Sequence, residues 1–157
     1  MKIIYVHHGN RAKCNPPSQT DDLTPLGVED CKIVGRLLDD ENIKSNLKAI
    51  YTSPILRCRK TAEIINKNLN APIIEDVRLN EFGSVPHETW LELQARIAQF
   101  LDEIVVKFDE SDIVICVTSG VNLVGFINKA YHLSPSSTAP FFLIPSCSPI
   151  MIEYKKE

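Results

Sequence analysis

Two adjacent histidines, His7 and His8, end a short apolar run and lead into Gly9, Asn10 and Arg11. Further along, Ser53-Pro54-Ile55-Leu56-Arg57 follows a second apolar run, and Thr118-Ser119-Gly120 follows a third. An imidazole serves as acid, base or nucleophile near neutral pH, and a guanidinium forks an anion with parallel donors. Each residue also has a plainer reading. A His-Gly pair after a strand can be only a turn, and most helix arginines are solvated. The five cysteines, Cys14, Cys31, Cys58, Cys116 and Cys147, offer less. They form no C-x-x-C pair, so a zinc site or a disulfide framework lacks its spacing. None is followed by Arg six positions later, the pattern of cysteine-based phosphatases. They read as reduced, mostly buried small hydrophobes.

The elements that must position these residues follow from apolar periodicity. Residues 2–6, 48–51 and 112–117 read as short buried strands, each opening into one of the three polar segments. Residues 72–74 read as a further short strand. Residues 10–23 form a loop, after which Thr24 caps and Pro25 opens a helix with Val28, Cys31, Val34 and Leu38 on one stripe. Ser53 and Pro54 repeat that signal for a helix that turns Leu56, Ile64, Ile65 and Leu69 to a core. The longest helical pattern runs over 87–108 through Trp90, Ile97, Leu101, Ile104 and Phe108, and another covers 122–131. Extended segments at 141–144 and 150–154 close the chain. Strands alternating with helices predict an α/β fold, a three-layer α/β/α sandwich with a mostly parallel central sheet. Ligands bind such sheets beyond the carboxyl ends of the strands. The three polar segments share that position and are expected to converge on one site.

Composition bounds the rest. The 157 residues suit one domain, residues 1–157. With 17 Lys plus Arg against 20 Asp plus Glu, the net charge is −3, which is no footprint for nucleic acid or a membrane surface. No apolar run approaches a signal-peptide core or a membrane span. A cytoplasmic protein is expected.

Taken together, the motifs resemble the histidine phosphatase superfamily, the phosphoglycerate-mutase-like fold. Its members open on a strand ending in Arg-His-Gly, then show Leu-Thr-x-x-Gly, Ser-Pro-x-x-Arg-x-x-x-Thr-Ala and Leu-x-Glu, and end a later strand in His-Gly. The counterparts here are Val6-His7-His8-Gly9, Leu23-Thr24-Pro25-Leu26-Gly27, Ser53-Pro54-Ile55-Leu56-Arg57 with Thr61-Ala62, Leu79-Asn80-Glu81, and Val117-Thr118-Ser119-Gly120. The pattern covers residues 2 to about 127, and the short chain resembles the compact phosphatases of the family more than its mutases. The resemblance implies that His8 attacks a phosphoryl group through nitrogen and carries it as phosphohistidine. It makes Arg57 a phosphate clamp and Glu81 the general acid, against the plainer reading of Glu81 as a solvated loop acid. No metal or other cofactor is implied. The implied partner is a phosphorylated small molecule or a phosphoprotein.

Two pocket positions depart from the family. His7 stands where the Arg is usual, and Ser119 where the second His is usual. If each change removes one charge-assisted hydrogen bond, the pair costs about 3–6 kcal/mol. That corresponds to about a hundredfold to ten-thousandfold in rate if it is felt fully in the transition state. Arg11, three positions after His8, is a candidate to restore the lost charge, against an ordinary solvated arginine. Asn15 sits one residue too far along to match the family's loop asparagine. His87 and His132 read as capping or surface residues, Arg59 as solvated, and Trp90 as a core anchor. Two functional readings follow: a metal-independent phosphatase with a modified pocket, or a non-catalytic relative that binds phosphate or phosphoprotein. A residual pocket on an interaction domain is a weaker third, and a mutase is disfavoured.

Overall fold

The structure, a computed structural model, describes residues 1–12, 18, 20–137 and 144–155. β1 (Lys2–His7) is apolar from Ile3 to Val6 and β4 (Ile113–Thr118) from Ile113 to Val117, and β4 is buried at every position. A strand without polar alternation belongs in the middle of a sheet covered on both faces. These two pair in parallel, Ile4 against Ile115 and His7 against Thr118. β2 (Leu47–Thr52) pairs in parallel with the other side of β4, and β3 (Ile73–Glu75) extends the sheet beyond it. β5 (Pro149–Glu153) runs antiparallel along β1. The strand order is β3-β2-β4-β1-β5.

Alternate side chains of each strand enter opposite layers. Ile4, Val6, Ile50, Ile115 and Val117 pack on α1 (Pro25–Leu37) and α3 (Leu56–Asn66) through Cys31, Val34, Cys58, Ala62 and Ile65. Ile3, Tyr5, Tyr51, Val114 and Cys116 pack on α4 (Trp90–Lys107) and α5 (Leu123–Ala130) through Ile97, Phe100, Leu101 and Phe126. The three-layer α/β/α sandwich with a mostly parallel sheet is therefore the observed fold.

The elements differ from the sequence expectation mainly at their ends. α4 begins at Trp90 because Thr89 and Glu92 form a reciprocal capping box. α3 begins at Leu56, after the Ser53-Pro54 signal. The Ser53 hydroxyl accepts from the Ile55 N–H at 3.2 Å and donates to Asn80 at 2.7 Å, tying the turn before the helix to the Glu81 loop. A short α2 (Glu41–Asn46), capped by Asp40, had no apolar stripe to announce it. Of the extended segment at 141–144, residues 141–143 lie outside the described residues and Ile144 belongs to no strand. Among the described residues, no helix is long and apolar enough to cross a membrane.

One contact sets the position of the first polar loop. Thr24 caps α1 by accepting from the Gly27 N–H at 3.0 Å, while the Thr24 N–H reaches Asn10 O at 2.9 Å. A Cβ on Gly27 would stand 2.2 Å from Asn10 O. Gly27→Ala must push α1 and the 9–11 loop apart, so we expect a loss of about 1–3 kcal/mol, read as a lower urea midpoint at unchanged slope.

Candidate active site

The three loops do converge at the carboxyl ends of β1, β2 and β4. His8 leaves β1 with its N–H on Thr118 O at 3.0 Å, and the next N–H, that of Gly9, donates to the Thr61 hydroxyl at 2.9 Å. Thr61 lies one turn along α3 from Arg57 and donates in turn to Arg57 O at 2.7 Å. The backbone on both sides of His8 is thus held by β4 and α3.

The His8 ring is oriented from both nitrogens. Nδ1 lies 2.8 Å from Gly9 O, which can only accept, so Nδ1 carries the proton. Nε2 keeps its lone pair and accepts from Arg57 Nε at 3.1 Å. Burial, more than any other influence, pushes the His8 pKa down to about 3, and His7, Arg57 and Arg11 push the same way against the Gly9 carbonyl. At neutral pH His8 is an uncharged imidazole with an available nitrogen.

Arg57, only 2% exposed, uses its whole guanidinium. Besides His8 it reaches Ser18 O at 3.1 Å through Nη1 and pairs with the Glu81 carboxylate through Nη2. Glu81 is brought there by a loop that Thr118, Asn122 and Arg96 pin in addition to Ser53. Asn122 Nδ2 donates to Leu79 O at 3.0 Å and Asn80 O at 2.9 Å, and Arg96 reaches Arg78 O and Glu81 O. Ser18, Asn122 and Arg96 were missed by sequence reasoning. A polar Asn122 at the mouth of an apolar helix was the one signal that pointed to any of them.

His7 packs its ring edge-on to His8, with centroids 4.5 Å apart. Its Nδ1 lies 3.0 Å from Ile144 O and so carries a proton. Burial is the main cause that holds its pKa below the usual value, against the Ile144 and Pro145 carbonyls and Glu81. The Ser119 hydroxyl is buried and has no hydrogen-bond partner among the described residues, while its carbonyl accepts from Tyr5 OH. Arg11 lies on Asp21 at 2.6 Å, and the same carboxylate oxygen accepts the Ser18 N–H at 3.1 Å. Arg11 therefore acts on His8 through its field and not by contact. Asn15 and Cys14 lie outside the described residues.

A cavity of about 210 Å3 opens beside Arg57 and Glu81, walled by Ser18, Ile55, Phe82, Gly83 and Ser84. Phe82 stacks on Trp90 at 4.1 Å, so Trp90 is half-buried, supporting the wall as well as the core. A larger groove between α4, α5 and β5 includes Glu153, which pairs with Lys2 at the far end of β1, so it lies at the opposite end of the sheet. His87 and His132 are exposed, and Arg59 pairs loosely with Glu75 at 3.7 Å. Among the described residues, no group of three or more His, Cys, Asp or Glu side chains could hold a metal ion.

Known proteins share this fold. A putative phosphoserine phosphatase 2 from Hydrogenobacter thermophilus is 37% identical over 84 residues, 52% of this chain and 39% of the relative. The chain thus spans about two fifths of the length of that relative. The solved structure of Bacillus stearothermophilus YhfR superposes with a TM-score of 0.78 at 24% identity, covering 97% of this chain and 90% of the other. A mycobacterial glucosyl-3-phosphoglycerate phosphatase in complex with VO3 superposes with a TM-score of 0.76 at 17% identity, covering 96% and 90%. At these identities the two structures speak for the fold. The sequence model of histidine phosphatase superfamily (branch 1) matches residues 6–87, just over half of the chain. On that match the chain belongs to the histidine phosphatase superfamily.

Proposed function

We propose that the protein hydrolyses a phosphoric monoester or a phosphohistidine by way of a phosphoryl group carried on His8. The observation that carries this reading is the Nε2 lone pair of a neutral, buried His8, set 3.1 Å from a buried guanidinium. A bound phosphoryl group takes over the Arg57 donors now spent on His8 and Glu81. Nε2 attacks phosphorus, the bond to the leaving oxygen breaks, and Glu81, which takes up the proton of the monoanionic phosphoryl group as it gives up Arg57, passes it to that oxygen. Water then attacks phosphorus, its proton passes to Glu81, the phosphorus–nitrogen bond breaks, and phosphate leaves with His8 restored. The names of the similar proteins, a phosphoserine phosphatase and a glucosyl-3-phosphoglycerate phosphatase, support a phosphomonoester as the first substrate to try.

His7 gives this pocket a pH dependence. Neutral His7 spends its one N–H on Ile144 O, so its other nitrogen offers a phosphate only a lone pair. Protonation adds a donor and a positive charge. Because burial lowers the His7 pKa, that gain comes on the acid side of about 6.5. Hydrolysis of an aryl phosphate from about pH 4.5 to 8 is expected to depend on His8, to be lost in His8→Ala, and to rise as pH falls. His7→Gln should flatten the rise. No activity above the His8→Ala protein at any pH overturns the enzymatic reading.

A second reading, a phosphate- or phosphoprotein-binding module, draws on a specific observation. The Glu81 carboxylate already neutralises Arg57, and neither Ser119 nor neutral His7 adds charge. Saturable vanadate binding with no phosphohistidine at His8 after an alkaline quench would select it.

A further inference from the structure

Beneath the His8 loop, two cysteines far apart in the chain face each other. Cys31, on α1, and Cys147, in the turn before β5, place their sulfurs 3.2 Å apart, and both are buried. Neither takes part in the phosphoryl chemistry, yet both touch the backbone that carries it. The Cys147 N–H donates to His7 O at 3.0 Å and His8 O at 3.3 Å, from a backbone held at φ +57°. The Cys31 thiol donates to the Thr61 hydroxyl at 3.6 Å, the group that also receives the Gly9 N–H. A Cβ on Gly9 would stand 2.7 Å from the Cys31 sulfur, so nothing separates the thiol from the nucleophile loop.

The pair is also reachable from one side, through Cys147. A cavity of about 240 Å3 between α1 and the 146–149 turn is walled by Ile33, Val34, Leu37, Ser146 and Cys147. Such a space admits a molecule the size of hydrogen peroxide. The hydrogen bond from Cys147 is the main influence that holds the Cys31 thiol below its usual pKa. Cys58 and Cys116 provide the contrast. Each is buried with no sulfur partner among the described residues, and desolvation pushes the Cys58 thiol up to about 12.

We propose that Cys31 and Cys147 form a redox-active thiol pair, oxidised to a disulfide by a hydroperoxide, which displaces the His7-His8-Gly9 backbone and weakens the anion site. One thiolate of the pair attacks the peroxide oxygen–oxygen bond, giving a sulfenic acid and hydroxide. The second sulfur attacks the sulfenic sulfur, and the displaced hydroxyl leaves as water with the second thiol's proton. The hydroxide takes up the proton that the first thiol released. Two thiols are oxidised, one peroxide is reduced, and two waters form. Closing the sulfurs from 3.2 Å to the about 2.05 Å of a disulfide moves them roughly 1.2 Å. The Cys147 N–H and the Thr61 hydroxyl carry that movement to His8 and Gly9. The effect on anion binding rests on the pocket assignment above, whereas the disulfide itself does not.

Peptide mapping after excess hydrogen peroxide, with unfolding in iodoacetamide, tests the pair. A peptide joined through Cys31 and Cys147, released by dithiothreitol, is expected. Cys31→Ala and Cys147→Ser should each abolish it, so either variant suffices if the other fails to fold. Alkylation of both cysteines in the peroxide-treated protein overturns the proposal. The amide resonances of His8 and Gly9 should shift on oxidation of the wild-type protein and stay in place in Cys31→Ala. A joined peptide with unmoved amides overturns the link to the site. Vanadate affinity should fall about tenfold to a hundredfold on oxidation, the scale of an ångström's displacement at a catalytic group. If the reduced protein binds no vanadate, the phosphatase reading fails, and the peptide map and amide shifts still decide the thiol pair.

Discussion

His7→Arg combined with Ser119→His is expected to raise kcat/KM toward an aryl phosphate by about a hundredfold to ten-thousandfold at pH 7. Among the described residues that touch His8, one permanent cation, Arg57, meets a developing phosphoryl charge, and it lies against Glu81. His7 is uncharged at this pH, and its proton points to Ile144 O. The Ser119 hydroxyl is buried without a partner among the described residues, so a donor at this position is not already committed to the fold. An arginine at 7 supplies a charge that does not titrate, and a histidine at 119 supplies a second donor. Each charge-assisted hydrogen bond contributes about 1.5–3 kcal/mol, which sets the range. His7→Arg alone should carry the larger share and should remove the acid-side rise in activity, since the titrating group is gone. The measurement is steady-state kinetics at pH 5 and 7 for the wild-type, both single and the double variants. A double variant that folds, binds vanadate more tightly and still turns over no faster would favour the binding module over the enzyme.

The parts of this site that were legible in the sequence were those fixed by chain order. Apolar runs marked β1, β2 and β4, and the rule that ligands sit beyond the carboxyl ends of parallel strands brought His7, Arg57 and Ser119 to one place. The Leu79-Asn80-Glu81 motif added Glu81, which the structure sets on Arg57. What stayed hidden depends on which loops touch. Arg57 meets Ser18 across 39 residues, and Cys31 meets Cys147 across 116. No periodicity encodes such pairs. Arg11 shows the same limit from the other side: its spacing from His8 suggested a pocket ligand, but buried Asp21 lies within reach and holds it at 2.6 Å. The cysteines were read singly as small hydrophobes, which describes Cys58 and Cys116 and misses the pairing of the other two. Helix starts failed for a local reason. Thr89 and Glu92 cap each other and set the start of α4 at Trp90, a signal that the longer apolar stripe overran.

Acid that charges His7 also works against the fold, and His8 is the reason. In the unfolded chain His8 titrates near 6.5, while burial holds it at about 3 in the folded protein. Between these values the unfolded chain binds a proton that the folded protein refuses, so stability falls as pH falls. The contribution is fully present above about 6.5 and is lost progressively toward 3. Its slope is about 1.4 kcal/mol per pH unit, or about 2.7 kcal/mol between pH 6.5 and 4.5. His7, lowered in the same direction, adds to the loss over its own window. Urea unfolding of wild type and His8→Gln at both pH values isolates the His8 share, because carboxylates common to the two proteins cancel in the difference. The variant should lose about 2.7 kcal/mol less than wild type over that interval. Equal losses would mean that His8 takes up its proton in the folded state, and a protonated His8 has no lone pair with which to attack phosphorus. The same measurement therefore bears on the nucleophile: a histidine kept neutral at a cost in acid stability is a histidine kept ready to react.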